Sequence, residues 1–69
     1  MINNVKQMRE QCGYTQEQLA NLVGASRQSI ISIEKGHYIP TTIMALKLAF
    51  SLGVGVEELF ILEKKDWKG

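Results

Sequence analysis

Glycines divide this chain into short segments, and that division limits the available folds more than any other feature. Gly13, Gly24, Gly36 and Gly53 each follow a run whose apolar residues recur at helical spacing, as glycines that end helices do. The only proline, Pro40, separates two such runs. Because the strand signal is poor throughout, the pattern predicts short helices joined by tight turns.

Apolar residues at helical spacing predict five helices in an all-α domain. The first covers about residues 3–12 and places Val5, Met8 and Cys12 on one face, with Cys12 as a small core residue. The last covers about residues 56–62 and carries Leu59 and Phe60. The fourth follows Pro40, and its predicted buried side consists of Ile43, Leu46, Ala49 and Phe50.

The second and third helices carry the clearest start signals. Thr15 followed by Gln18 predicts a capping box, and Ser26 predicts the N-cap of the next helix. Between them, Gly24 adopts the left-handed conformation of a tight turn at little steric cost, and the small Ala20 lets the two helices cross closely. The pair predicts a helix-turn-helix. Its inward residues are predicted to be Leu19, Leu22, Val23, Ser29, Ile30 and Ile33.

Length and composition restrict the chain to one small domain. With 69 residues and 45% hydrophobic content, it is predicted to form a single unit over residues 1–69, with a core at about 5–62 and a short tail at 63–69. No apolar run approaches the roughly 20 residues that cross a bilayer, and nothing resembles a signal peptide. A cytoplasmic protein that does not enter the membrane is therefore expected.

The residue inventory argues against an enzyme. A single cysteine and a single histidine supply neither a disulfide nor the spacing of a zinc site, and no nucleophile lies near a general base. No cofactor, metal or small-molecule ligand is expected. The net charge of +1 is too small to indicate nucleic-acid binding by itself.

The stretch YTQEQLANLVGASRQSIISIEKGHYIPTTIMALKLAFSLGVGVEELF resembles the phage repressor and Cro-like (XRE-type) family of helix-turn-helix regulators. The resemblance covers about residues 5–62 and rests on a correlated set of residues. They are Thr15-Gln16, Leu19-Ala20, Gly24, Ser26-Arg27-Gln28, Ile30, Ile33-Glu34, Gly36, Pro40, Ala45-Leu46, Leu52-Gly53-Val54 and Glu57-Glu58-Leu59-Phe60. It implies a compact five-helix repressor-like domain that inserts its third helix, about residues 27–35, into the major groove of double-stranded DNA.

The resemblance proposes base contact for Arg27 and Gln28, and helical geometry permits it. At about 100° per residue, these two side chains lie opposite the arc of Ile30 and Ile33. Arginine can donate two hydrogen bonds to guanine, and glutamine can bond adenine in the same bidentate way. The alternative is that both side chains simply solvate an exposed first turn.

Three more residues of the third helix are candidates for DNA contact. Ile31 shares the outer side and is predicted to touch a thymine methyl group, or else to pack against a neighbour or a dimer partner. Ser32 lies at the margin of that face and is a further candidate for base contact, whereas Lys35 is a candidate for phosphate contact.

Positions outside the third helix are assigned by the resemblance. Gln16, at the start of the second helix, is expected to hold a DNA phosphate. His37 and Tyr38 are weaker candidates for backbone contact, with turn packing as the alternative. Arg9 matches the family's arginine that pairs with the glutamate at position 34, so Arg9 and Glu34 are expected to form a structural ion pair.

Two classes of function are consistent with these residues. The first is a sequence-specific DNA-binding regulator, expected to be a repressor that binds a palindromic operator as a homodimer. The second is an antitoxin-like or adaptor module of the same fold. Polar residues at positions 16, 27 and 28 favour the first. Ile61, Leu62 and Trp67 have two interpretations: they contact a dimer partner, or they pack back onto the domain.

Overall fold

A computed structural model describes residues 1–68, and it contains the five helices that the sequence predicts. Helix α1 spans Val5–Gln11, α2 Gln16–Val23, α3 Arg27–Glu34, α4 Thr42–Leu52 and α5 Val56–Leu59. Strand β1, Ile2–Asn3, precedes them, strand β2, Phe60–Ile61, follows, and a 3-10 helix covers Lys64–Trp67. The prediction of a five-helix domain with a helix-turn-helix is confirmed.

The two short strands are a correction to the purely helical prediction. They pair antiparallel, with Ile2 opposite Ile61 and Asn3 opposite Phe60. As a result, the first helix begins at Val5 instead of Asn3, and the fifth ends at Leu59 instead of extending to residue 62.

The N-terminal amine is held by carboxylates near the other end of the described chain. The Met1 amine lies 2.8 Å from Glu63 Oε1 and 3.0 Å from Asp66 Oδ2. The hydrogen bonds to Glu63 and then Asp66 raise the pKa of the amine. The pKa of Asp66 is lowered, chiefly because its carboxylate accepts a hydrogen bond of 2.7 Å from the Glu63 backbone N–H.

The core lies where the inner faces of the helices meet. Its fully enclosed side chains are Val5, Leu19, Ile30, Ile33, Leu48 and Leu59, with Ala20, Val23, Ala49 and Leu52 nearly as deep. Helix α2 packs against α3 and α4, and α1 also contacts both of these helices. Buried Ala20 fits the close α2–α3 crossing that the sequence predicts.

The predicted buried side of α4 is wrong except for Ala49. Ile43, Leu46 and Phe50 are exposed, and Leu48 and Leu52 are buried instead. With only Lys47 charged among its 11 residues, this helix is apolar on nearly every side, so spacing alone cannot identify the inner face.

Two other predicted core residues, Leu22 and Cys12, also face solvent. Leu22 was predicted to continue the apolar stripe of α2. Cys12 follows the end of α1, and its Sγ lies 3.6 Å from the Leu52 carbonyl oxygen at the domain surface.

Candidate DNA interface

Local capping fixes the starts of the two helices that form the helix-turn-helix. The Gln18 N–H donates to Thr15 Oγ1 at 3.0 Å, and the Thr15 N–H donates to Gln18 Oε1 at 2.8 Å. Gly24 ends α2 in the left-handed region at φ 70°. Ser26 Oγ then accepts from the Ser29 N–H at 3.1 Å and caps α3. The start of each helix is therefore set by hydrogen bonds between its N-cap residue and the residue three positions later.

Below the outer surface, Glu34 joins three helices through hydrogen bonds. Its Oε2 accepts from Arg9 Nε at 2.6 Å, and its Oε1 accepts from Arg9 Nη2 at 3.3 Å and from Gln16 Nε2 at 3.1 Å. The Arg9 and Glu34 side chains are 10% and 4% exposed. Arg9 Nη1 also donates to the Tyr14 carbonyl at 2.9 Å. These bonds fix the end of α3 relative to α1 and the start of α2.

The environment of Arg9 keeps this centre charged. Both charged side chains of the pair are almost completely enclosed, that of Glu34 more so than that of Arg9. The hydrogen bond to Glu34 raises the pKa of the Arg9 guanidinium more than burial lowers it. A buried cation held in this way needs its carboxylate partner, because the unpaired charge would be costly to desolvate.

Arg27 and Gln28, the two residues predicted to contact DNA bases, are both exposed in the first turn of α3. Ile30 and Ile33, on the opposite side of the helix, are completely buried. Lys35, His37 and Tyr38 are exposed at the end of the helix and in the following loop, and Ile31 and Ser32 are half-buried. Ile31 is therefore less isolated from the domain than its outward position implied.

Two surface hollows group these candidates. One is lined by Arg9, Thr15, Gln16, Glu17 and Arg27, and so brings Gln16 and Arg27 together. The other is lined by Ser26, Gln28, Ser29, Ser32 and Tyr38. Ile31, Lys35 and His37 line neither hollow. The candidate surface thus has an α2 side near Arg27 and a hydroxyl-rich side near Gln28.

Sequence reasoning missed two polar contacts that hold this surface in place. Gln16 was expected to face a phosphate, but its amide also bonds Glu34. Asn3 Nδ2 donates to the Ile33 carbonyl at 2.7 Å, which ties β1 to the end of α3. Neither contact has a local sequence signal, because each joins residues that are far apart in the chain.

Comparison with protein families identifies the arrangement. A family model described as helix-turn-helix matches residues 5–59. The chain belongs to this helix-turn-helix family. The match includes all five helices of the described fold and ends at Leu59, where β2 begins.

Relatives of this helix-turn-helix chain match it over nearly their full length. It is 41% identical over 66 residues to the uncharacterized HTH-type transcriptional regulator YgzD of Bacillus subtilis, covering 96% of this chain and 100% of that protein. It is 48% identical over 66 residues to the uncharacterized HTH-type transcriptional regulator MJ0272 of Methanocaldococcus jannaschii, with the same two coverages.

A solved structure shares the same fold. The restriction-modification controller protein C.AhdI of Aeromonas hydrophila is 34% identical and superposes with a TM-score of 0.76, covering 81% of this chain and 85% of that one. Among residues 1–68, no helix has the length and apolar character to cross a membrane.

Proposed function

We propose that this helix-turn-helix transcription regulator is a repressor that reads a DNA operator with α3 in the major groove. The observation that carries the proposal is the pair Arg27 and Gln28, exposed side by side at the N-terminal turn of α3. The opposite face of α3 is held in the core through Ile30 and Ile33. A helix fixed in this way presents its first turn to a groove with little loss of conformational freedom.

Base reading is assigned to the outward side chains of α3. Arg27 has the donors for guanine O6 and N7, and Gln28 has the donor and acceptor that match adenine. Ser32 lines the same hollow as Gln28 and is a third base contact in this proposal. The half-buried Ile31 supplies apolar contact to a thymine methyl group.

Phosphate contact is assigned to the rim of this surface. The Gln16 amide nitrogen carries two hydrogens, and the bond to Glu34 uses one of them. The other is available to a phosphate at the start of α2, where the helix dipole favours an anion. Lys35, His37 and Tyr38 are exposed beyond α3 and complete the proposed backbone contacts.

The working form is proposed to be a cytoplasmic homodimer on a palindromic operator. The eight residues of α3 can reach only a few base pairs, so one copy has limited specificity. Two copies on half-sites about one helical turn apart double the base contacts. Blocking transcription by occupying such a site requires no catalytic group.

Selection of bound oligonucleotides from a random pool tests the proposal directly. We expect a palindrome to emerge, and Arg27→Ala and Gln28→Ala each to weaken binding to it by about 1 to 3 kcal/mol and to relax preference at one base pair. Lys6→Ala and Gln11→Ala are matched controls on the exposed side of α1, and they should bind like the parent. If no sequence is enriched, or if both α3 variants bind as tightly as the parent, the assignment is wrong.

A further inference from the structure

The chain leaves α3 through a turn that carries three of the proposed phosphate contacts. Gly36 follows the C-cap of α3 in the left-handed region, at φ 76°. Its N–H donates to the Ile33 carbonyl at 3.0 Å, and the His37 N–H donates to the Ser32 carbonyl at 2.9 Å. We call residues 35–38 the exit turn. Its geometry decides where the three candidate side chains stand relative to the helix.

The Asn3 side chain reaches the exit turn from β1. Its Nδ2 donates to the Ile33 carbonyl at 2.7 Å, so this oxygen accepts from Asn3 and from Gly36 together. The last carbonyls of a helix lack partners within the helix, and here a side chain 30 positions earlier in the chain supplies one. Asn3 therefore helps to cap the C-terminal end of α3 from a different element of the fold.

Two neighbours fix the orientation of the Asn3 amide. Its Oδ1 accepts a hydrogen bond of 3.0 Å from the Val5 N–H, at the start of α1. A flipped amide would place two donors against each other at Val5 and two oxygens against each other at Ile33. The side chain therefore joins α1 to α3, with each of its two polar atoms in a defined place.

The backbone of Asn3 is held by the strand pair. Asn3 lies opposite Phe60 of β2, and the N–H of the following residue, Asn4, donates to the Leu59 carbonyl at 2.9 Å. Asn3 and Phe60 both lie outside residues 5–59, which match the family model. The contact with the exit turn is thus added to the helices of the family by the strands that flank them.

We propose that Asn3 is a positioning residue for DNA binding, whose amide holds the exit turn of α3 in the geometry that contacts phosphate. This inference rests on the proposed function, in which the exit turn carries backbone contacts. The bonds of Glu34 hold the same end of α3 through a side chain, whereas the bond of Asn3 holds the backbone where the chain leaves the helix. Without it the exit turn would populate further conformations, and the apparent affinity would fall with the fraction that is competent to bind.

Asn3→Asp removes one function of this side chain and keeps the other. The carboxylate can still accept from the Val5 N–H, but it has no hydrogen to donate to Ile33. Asn4→Asp is the matched control, because the Asn4 amide donates to the Glu58 carbonyl at 3.1 Å, on α5 and away from α3. Both variants gain the same charge at neighbouring positions, so a general electrostatic effect on DNA binding would appear in both.

Amide hydrogen exchange of the full chain without DNA tests whether Asn3 holds the exit turn. In Asn3→Asp, the Gly36 and His37 N–H groups should exchange faster than in the parent, and by a larger factor than the N–H of the core residue Leu19, which reports unfolding of the whole domain. Asn4→Asp should show no such difference. No selective increase at Gly36 and His37, or the same increase at every amide, would overturn the proposal.

Titration of a selected duplex and a scrambled duplex tests the link to DNA, at a temperature where circular dichroism shows both variants to be folded. A neutral hydrogen bond changes an equilibrium by about 2- to 10-fold, and Asn3→Asp adds repulsion between its carboxylate and the Ile33 carbonyl. We therefore expect Asn3→Asp to bind both duplexes about tenfold more weakly than Asn4→Asp, because phosphate contacts carry no sequence information.

The two measurements separate this proposal from the proposed function. Equal affinities of Asn3→Asp and Asn4→Asp, or a loss confined to the selected duplex, would refute the role of Asn3 and leave DNA binding by the parent intact. A parent that binds no duplex would refute the proposed function, and the DNA role of Asn3 with it.

Discussion

Removing the carboxylate of Glu34 should destabilise the domain more than any single exposed substitution. In the folded protein it accepts two hydrogen bonds from the buried Arg9 and one from Gln16. Hydrogen bonds to charged groups contribute about 1.5 to 3 kcal/mol each, and breaking a buried ion pair typically costs about 3 to 5 kcal/mol. We therefore expect Glu34→Ala to lower the free energy of unfolding by about 3 to 5 kcal/mol, because the Arg9 cation is left without compensation.

That loss would be a large share of the total stability of a domain this small. At about 0.05 to 0.15 kcal/mol per residue, a chain of 69 residues unfolds at a cost of roughly 3 to 10 kcal/mol. Each kcal/mol corresponds to about 4 to 8 °C in melting temperature for domains of this size. Glu34→Ala should accordingly melt at least about 12 °C below the parent.

Urea unfolding followed by far-UV circular dichroism measures this effect. The helical signal is preferable to tryptophan fluorescence, because Trp67 is exposed in the 3-10 helix outside the core. Glu10→Ala is the matched control, since Glu10 is an exposed glutamate on α1 and its loss should change stability by less than about 0.5 kcal/mol.

A double-mutant cycle tests whether the loss comes from the pair itself. Arg9→Met combined with Glu34→Met should be less destabilising than the sum of the two single substitutions, because the double variant leaves no unpaired buried charge. Strictly additive losses would show that the two side chains do not stabilise each other, and the role given to Glu34 would be refuted.

Three further results are expected. Gln16→Ala should weaken binding to all DNA sequences nearly equally, as measured by titration of selected and scrambled duplexes, and a loss confined to the selected duplex would contradict its phosphate role. Arg27 and Lys35 are the two exposed cations that α3 and its C-cap present. A dimer bound to DNA should therefore show a slope of log affinity against log salt concentration no steeper than about −4. A slope near −10 would require other cations at the DNA. The pKa of the Met1 amine is raised and that of Asp66 is lowered. The amine's contribution to stability should therefore be present below its unfolded pKa and be lost as pH rises through the raised pKa of the folded state. The contribution of Asp66 to stability should be present above its unfolded pKa and be lost as pH falls through the lowered pKa of the folded state. Melting temperatures across pH should show a smaller acid-side loss in Asp66→Asn, with the remainder due to Glu63, whose pKa the Met1 amine also lowers, and an unchanged profile would contradict the contact.

Elements whose signals are local could be predicted from the sequence. The capping box at Thr15 and the N-cap at Ser26 involve side chains and backbone groups three residues apart, and Gly24 needs only its own conformational freedom. These local features were sufficient to predict the helix-turn-helix. The positions of Arg27 and Gln28 at the start of α3 followed from the same local rules, although their contacts with DNA remain a prediction.

Elements that depend on distant partners could not be predicted in the same way. Strand β2 is only two residues long and exists through its pairing with β1 at the other end of the domain, so periodicity cannot reveal it. Helix α4 is apolar on nearly all sides, and only its contacts with α1, α2 and α5 select Leu48 and Leu52 as its inner face. The Gln16–Glu34 bond likewise requires the fold to bring α2 and α3 together.

Because β1 pairs with β2, we expect the start of the chain to reach its final position later than the helices that follow it. Contact between Ile2 and Ile61 closes a loop that contains all five helices, and the entropic cost of closure grows with loop length. By contrast, α2 and α3 adjoin each other across a short turn and can dock early. We therefore expect the strands to pair after the transition state for folding. Weakening their pairing should then accelerate unfolding and leave the refolding rate nearly unchanged.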